Sequence, residues 1–434
     1  MKPSPGGGPS TAPETAEKRG PVFEEPSPVG ASYIWLMVFA QFGVYMAFIT
    51  PIAISLTIRV EEIAPGHEEY LGYVTGAGAF VSMIKGPLVG ALSDRTRSRF
   101  GRRRPFLVGG MAVGVPALFV MAWAPDIITL GLGWCLTQLG WGAVLNTLLA
   151  SQADRLPHSQ RGKVAGLCGF STMAAPVLGV VIAGGLVDHS LLLFLVPGLI
   201  GVIAVTSFVW FVPEDDSRGL MFAEPLTVRS IALKYVFSPR RNPDFAWNWL
   251  SKFIFMFGVT FNTTYTVFFF ASRLDVTVKE VAGTIAVLSA GSVAATALGA
   301  VGGGLLSDRL GRRRILVMVA ALLFTSGAVT MALSSAVPML FAGSLLCSLG
   351  NGAFSSVDQA LALDVLPDRG TDAGRYMGVI GFAATVPQAL APLAAPLFLA
   401  VGAGGEKNYT LLYLVAAAFT VLGGLTVLRV RSVR

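Results

Sequence analysis

The chain has 434 residues, 53% of them hydrophobic and 13% charged, with a formal net charge of +7. Soluble domains carry about 25% charged residues, so this composition excludes a water-soluble globular protein, which could not cover its own surface. Cys135, Cys168 and Cys347 all fall in apolar stretches, which speaks against a disulfide scaffold or a zinc site.

In chain order, residues 1–30 are rich in Pro, Gly, Ser and Glu without an apolar h-region or cleavage pattern, and predict a disordered tail with no signal peptide. Twelve windows with few or no charges follow, at 31–58, 70–92, 105–125, 127–153, 164–187, 190–212, 246–271, 281–306, 315–335, 338–363, 376–402 and 410–430. About 20 apolar residues cross a hydrocarbon core of about 30 Å as a helix, so the fold class expected is an all-α membrane protein of twelve transmembrane helices. Between windows 6 and 7, residues 213–245 read as a surface linker, in which "TVRSIALKYVF" has the pattern of a short amphipathic helix. The domain reading is a tail at 1–30, six-helix bundles at 31–212 and 246–430, the linker at 213–245 and a short tail at 431–434.

Lysine and arginine alternate by loop. The odd-numbered loops hold only Arg59, Arg273, Lys279 and Lys407, Lys85 and Lys252 lie inside windows, and all the others fall in even-numbered loops, the linker, the N-terminal tail or the C-terminal end, where Arg429 sits at the edge of the last window. By the positive-inside rule both termini are cytoplasmic, which an even number of spans also requires. The positive charge thus reads as membrane topology, with no nucleic-acid partner, and the expected location is the cell membrane.

The halves repeat. "GALSDR" at 90–95 with "GRRR" at 101–104 returns as "GLLSDRLGRRR" at 304–314, and "ADRLP" at 153–157 returns as "LDVLP" at 363–367. A six-plus-six parallel repeat is a transporter architecture in which two halves rock about a central site. With these motifs the chain resembles the major facilitator superfamily over nearly all twelve helices. "SDRTRSRFGRRRPF" at 93–106 is similar to the sucrose/proton symporter branch of the glycoside-pentoside-hexuronide:cation symporter group. The loop residues Asp94, Arg95, Gly101, Arg102, Arg103, Asp308, Arg309, Gly311 and Arg312 are expected to form a cytoplasmic clasp between moving halves, since a helix-terminal carboxylate accepts charge-assisted bonds from guanidinium groups.

The resemblance implies that helices 1, 4, 7 and 10 line a central cavity. Charges inside the windows, Lys85, Lys252 and Asp358, are coupling or gating candidates because an ionisable group in a bilayer is costly. Lys252 and Asp358 are placed at equal depth and expected to pair. Candidates for solute binding are Gln41, Tyr45, Gln138, Trp141, Asn146, Asn248, Asn262, Asn351, Gln359 and Gln388, amides and aromatics that suit hydroxyl-rich ligands. Small-residue stripes at Ser171, Ala175, Gly179 and Ala183, and at Gly291, Ala295, Gly299 and Gly303, are expected to face one another across the halves. The plant sucrose symporters carry an acid in helix 4 and an arginine in helix 5. This chain has Gln138 and Asn146 in the one and no arginine in the other, which leaves Asp358 as a substitute and uniport or export open.

The function expected is secondary transport of a small polar solute, a sugar or glycoside, by alternating access, with export of amphipathic compounds as the alternative. No enzyme is expected: there is no metal-ligand cluster, no GxSxG, and His67, His158 and His189 lie in loops on different sides. No cofactor beyond a coupled proton is expected, and the partners are a small-molecule solute and the bilayer, with the protein a monomer.

Overall fold

The structure, a computed structural model, describes residues 28–219, 237–334, 336–367, 373–401 and 407–432. Nearly all of the expected N-terminal tail and of the amphipathic stretch in the linker therefore lies outside the described residues. Among the described residues, eleven helices are long and apolar enough to cross a membrane, or twelve when the pair Pro243–Thr264 and Thr266–Leu274, bent by 48°, is one span. In order they are α1 (Ala31–Ile63), α2 (Glu69–Asp94), α3 (Arg104–Ala122), α4 (Ile127–Arg155), α5 (His158–Gly184), α6 (Ser190–Phe211), α7 (the bent pair), α8 (Ala282–Leu310), α9 (Arg313–Ala332), α10 (Val337–Asp364), α11 (Ala373–Leu399) and α12 (Tyr409–Val427).

Local sequence explains the ends and kinks. Asp126 caps α4 by accepting from the Thr129 N–H at 2.8 Å, and Asn408 caps α12 by accepting from the Leu411 N–H at 2.9 Å. In α1, Pro51 has no N–H to donate, and the ladder widens into a π-helical turn over Pro51–Ser55. Gly101 (φ 84°) and Gly311 (φ 60°) take left-handed backbone in the two arginine loops, where a β-carbon would be strained.

Packing repeats the internal symmetry of the sequence. In the first half α1 packs on α5 and α6, α2 on α4, and α3 on α4 and α6; in the second half α7 packs on α11 and α12, α8 on α10, and α9 on α10 and α12. The halves meet through α2 on α11 and α5 on α8. Bare glycine faces allow the close approaches within each half: Gly140 of α4 lies on the Gly114 backbone of α3, and Gly350 of α10 on the Phe324 backbone of α9.

The small-residue stripes do not face one another. The Ser171 hydroxyl donates to the Val38 carbonyl of α1 and Gly179 abuts Thr50, also on α1. On α8, Gly299 abuts Leu349 and Gly303 abuts Ala353, both on α10. Small residues bring a helix to its nearest neighbour, and for α5 and α8 that neighbour belongs to the same half.

Candidate functional site

The first and last described residues lie at one end of the bundle, the terminal end, where the Val29 N–H donates to Gln160 in the first turn of α5 and the Arg431 N–H donates to Asp244 at the start of α7. The two arginine loops are there. Arg103, 4% exposed, donates to Asp154 at 2.9 Å and Asp94 at 2.6 Å and also to Ser93, while Arg102 pairs with Asp154 at 2.7 Å. The second copy repeats this with Arg313, 2.9 Å from Asp364 and 4.0 Å from Asp308. Arg104 and Arg314 each donate to a carbonyl just past the last helix of their half, Val212 and Val430. Each set joins helices of one half, so in this conformation Asp94 and Asp308 brace their own bundles and, among the described residues, do not bridge the halves. Arg312 and Arg309 are exposed; the working arginine of the second copy is Arg313. Arg95 has further interactions of its own. Asp154, Asp364 and Glu214, which accepts from the Arg103 and Arg104 N–H groups at 3.2 and 2.9 Å, were not singled out from sequence. The recurrence of "ADRLP" as "LDVLP" was the available signal for the two aspartates.

Inside the second half, Lys252 Nζ lies 2.9 Å from Asp358 Oδ2, and Asp358 is 0% exposed. Asn248 is enclosed beside the same carboxylate, with neither amide atom reaching a hydrogen-bond partner. Lys85, 5% exposed, is buried in the first half, against Gly142 of α4.

Between the halves is a cavity of about 420 Å³ walled by α1, α2, α4, α7 and α11, with Thr75, Ser82, Trp134, Gln138, Thr260, Thr263, Thr264, Thr385 and Gln388 on its surface. A second lobe of about 310 Å³ shares Ile52, Ala53, Val259, Thr263 and Thr264 with it and extends along α7, α8 and α10 past Asn262, Ser289, Ser292, Thr296, Ser348 and Asn351. Among the described residues, no Asp, Glu, Lys or Arg lines either lobe. Thr75, Thr260, Thr263 and Thr264 donate their hydroxyl protons to carbonyls of their own helices at 2.7 to 3.0 Å, so toward the cavity they offer lone pairs. The Trp134 N–H and Gln138 Oε1 are buried without partners and supply a donor and an acceptor.

Of the solute-binding candidates, Gln138, Asn262, Asn351 and Gln388 reach the two lobes. Gln41 is spent within the first half, donating to Thr172 at 3.3 Å and accepting from Gln152 at 2.6 Å; Tyr45 lies beside the same Thr172. Trp141 is 0% exposed between Gly114 of α3 and Gly201 of α6, a core position away from the cavity. Asn146 faces Gly86 of α2, Asn248 belongs to the Lys252–Asp358 group, and Gln359 is exposed outside both lobes. The threonines of α7 were missed because one threonine in a window carries no charge or amide to mark it.

At the far end the halves are tied together. Lys279 pairs with Glu62 at 3.1 Å and Asp188 at 3.3 Å, and Lys407 with Glu69 at 2.6 Å, each across the halves. Contact with Glu62 and then Asp188 raises the Lys279 pKa. Burial pushes the Glu68 carboxyl up to about 7, with Lys407 pulling it down and Glu61 and Glu69 pushing it up. Gly72 and Gly76 of α2 lie against the Pro392 and Ala389 carbonyls of α11, and the Tyr265 hydroxyl donates to the Pro392 carbonyl at 3.4 Å. Toward the terminal end the same helices part: Gly90 of α2, Gly162, Gly166 and Gly169 of α5, Gly302 of α8 and Gly381 of α11 face open space among the described residues. The interface is closed at the far end and opens toward the termini. All four basic residues of the odd-numbered loops bind across elements here, Arg59 to the Ala124 carbonyl and Arg273 to the Ala332 carbonyl.

Known proteins agree with this architecture. The general alpha-glucoside permease of Schizosaccharomyces pombe is 37% identical over 92 residues, which are 21% of this chain and 15% of the permease, so the likeness spans a small part of that relative. Among solved structures, a variant of the nucleoside transporter NupG superposes with a TM-score of 0.74 at 12% identity, covering 92% of this chain and 99% of the other. A bacterial homolog of the human lysosomal transporter Spinster, solved inward-facing and unoccupied, gives 0.72 at 16% identity over 93% and 99%. At such identities these two show the fold alone. The family model of the Major Facilitator Superfamily matches residues 31–301 and 282–434, and with the twelve-helix repeat described above, the chain belongs to that superfamily.

Proposed function

We propose that the protein is a secondary transporter that moves a small hydroxyl-rich solute, a sugar or glycoside, by alternating access. The observation that carries this is the uncharged two-lobed cavity at the junction of the halves, whose threonine lone pairs, amides and indole N–H match a ligand that both donates and accepts at many points. The partial likeness to an alpha-glucoside permease supports the same solute class.

In this proposal both termini face the cytoplasm at the cell membrane, the monomer is the working unit, and the described conformation is inward-open. The linker at 213–245 lets the bundles rock, the paired charges at the far end form the outer closure, and Asp94 and Asp308 act by holding each bundle rigid. Asp358, enclosed and with Oδ1 lacking a partner, is the group assigned to a coupled proton, and Lys252 is released when that proton binds.

Uptake of labelled disaccharides into proteoliposomes, with and without an inwardly directed proton gradient (acidic outside), tests this. Saturable uptake that accumulates only with the gradient is expected. Uptake indifferent to the gradient removes the coupling but keeps the transporter, and efflux of amphipathic dyes without disaccharide uptake favours the exporter.

A further inference from the structure

Lys85 is an interior charge that the proposed cycle leaves unused. It projects from α2 one turn closer to the terminal end than Ser82, which lines the cavity, and nests over Gly142 of α4, one turn beyond Gln138. It is 5% exposed, so it does not snorkel to the headgroups. Any side chain at position 142 would overlap its ammonium, and the bare glycine is what makes the room.

Among the described residues Lys85 has no ion-pair or hydrogen-bond partner. The buried carboxylate of Asp358 belongs to the other half and is held by Lys252 at 2.9 Å. Asp94 and Asp154, at the terminal ends of the two helices that flank Lys85, are held by Arg103. A buried ammonium without a counter-ion is strongly disfavoured, so the site is complete only when something else brings the negative charge.

Two neighbours in the same α2–α4 seam are also buried and unpartnered, the Trp134 N–H (residue 1% exposed) and Gln138 Oε1 (residue 6% exposed). Positions 134, 138 and 142 are four residues apart, about 6 Å per step along α4. A hydrogen-bond donor, an acceptor and a cation are thus arrayed along one seam, with the cation nearest the terminal end.

We propose that Lys85 is an anion subsite one turn beyond the Ser82 and Gln138 wall of the cavity, on its terminal-end side, and that the transported solute is a hydroxylated compound carrying a carboxylate. The carboxylate pairs with Lys85, while hydroxyls one and two turns away donate to Gln138 and accept from the Trp134 N–H. This deepens the transport reading above and rests on it.

The test is binding of a matched pair, a methyl hexoside and the corresponding methyl hexuronide, which differ only in CH2OH against carboxylate. Both are titrated calorimetrically into the purified full chain, wild type, Lys85→Met and Lys85→Gln. The wild type should bind the acid about ten-fold more tightly than the neutral glycoside, and both variants should lose that preference. Unliganded Lys85→Met should also melt higher than wild type, because an uncompensated charge is gone, whereas a merely structural lysine would leave it lower. Equal affinities in the wild type, or an intact preference in the variants, overturn the subsite and leave transport of a neutral solute standing. Neutral-glycoside binding that needs added phosphate or chloride in the wild type, but not in Lys85→Met, gives the subsite to a free anion and overturns the solute carboxylate. Binding of neither glycoside overturns the transport reading together with the subsite.

Discussion

Removing one partner of the Lys252–Asp358 pair should be far worse than removing both. The charges are 2.9 Å apart and Asp358 is 0% exposed. With an effective dielectric constant of about 20, Coulomb's law gives roughly 6 kcal/mol of attraction at that separation, most of which offsets the cost of taking both groups out of water. Neutralising one partner leaves the other buried and unpaired, typically a loss of about 3 to 5 kcal/mol, whereas apolar replacement of both is often neutral. Lys252→Met and Asp358→Leu should therefore each lower stability by about that amount, and the double variant should return to within about 1.5 kcal/mol of wild type. Detergent-solubilised protein unfolded by SDS titration supplies the double-mutant cycle, and a coupling energy above about 2 kcal/mol is expected. Single variants that unfold like wild type, or losses that simply add, would refute the reasoning. If Asp358 carries the coupled proton, the double variant should exchange solute across the membrane yet fail to accumulate it.

Arg103→Lys should destabilise the first half by about 1 to 3 kcal/mol, because a lysine cannot serve Asp94, Asp154 and Ser93 together; limited proteolysis of the α2–α3 loop reports it, and Arg309→Lys, exposed at the second copy, should do nothing. A cysteine at Gly66 should react with an impermeant thiol reagent from outside the cell and one at Arg240 should not; the reverse pattern would invert the topology. The far end should close more readily in acid. Glu68, facing Glu61, Glu69 and Lys407, is held at about 7 in the closed form and should fall to about 4.3 once that end opens into water. The closed form thus binds the extra proton, its disadvantage from a buried carboxylate is absent below about 4.3 and complete above about 7, and labelling of a cysteine at Ala271 should rise with pH across that window. Glu68→Gln should flatten the dependence.

The helices and their two-fold repeat were legible because a bilayer demands long apolar runs, and because the duplicated loops gave the repeat away. The Lys252–Asp358 pair was legible for a related reason: a charge inside an apolar window has few ways to exist, and equal depth named its partner. Lys85 was visible as a charge, but that it turns toward Gly142 and away from the headgroups depends on which face of α2 meets α4. The α7 threonines that line the cavity were hidden, since a hydroxyl that bonds its own helix is as much at home against lipid as against a ligand. The closure at the far end was hidden in the charge count: Lys279 and Lys407 were noted as exceptions to the loop alternation, while their partners Glu62, Asp188 and Glu69 lie far away in the chain and meet them only when the halves fold together.

Rocking of two halves about the hydroxyl-lined cavity is tested most directly by pinning the far end. Glu69 and Lys407 lie 2.6 Å apart across the halves at their charged tips, so cysteines at both positions can be bridged by a bifunctional thiol reagent with a reducible spacer. Uptake of a labelled glycoside into proteoliposomes should stop when the bridge forms and return when it is reduced, while either single cysteine treated with the same reagent keeps transporting. Undiminished uptake through the bridged protein would contradict alternating access in this chain.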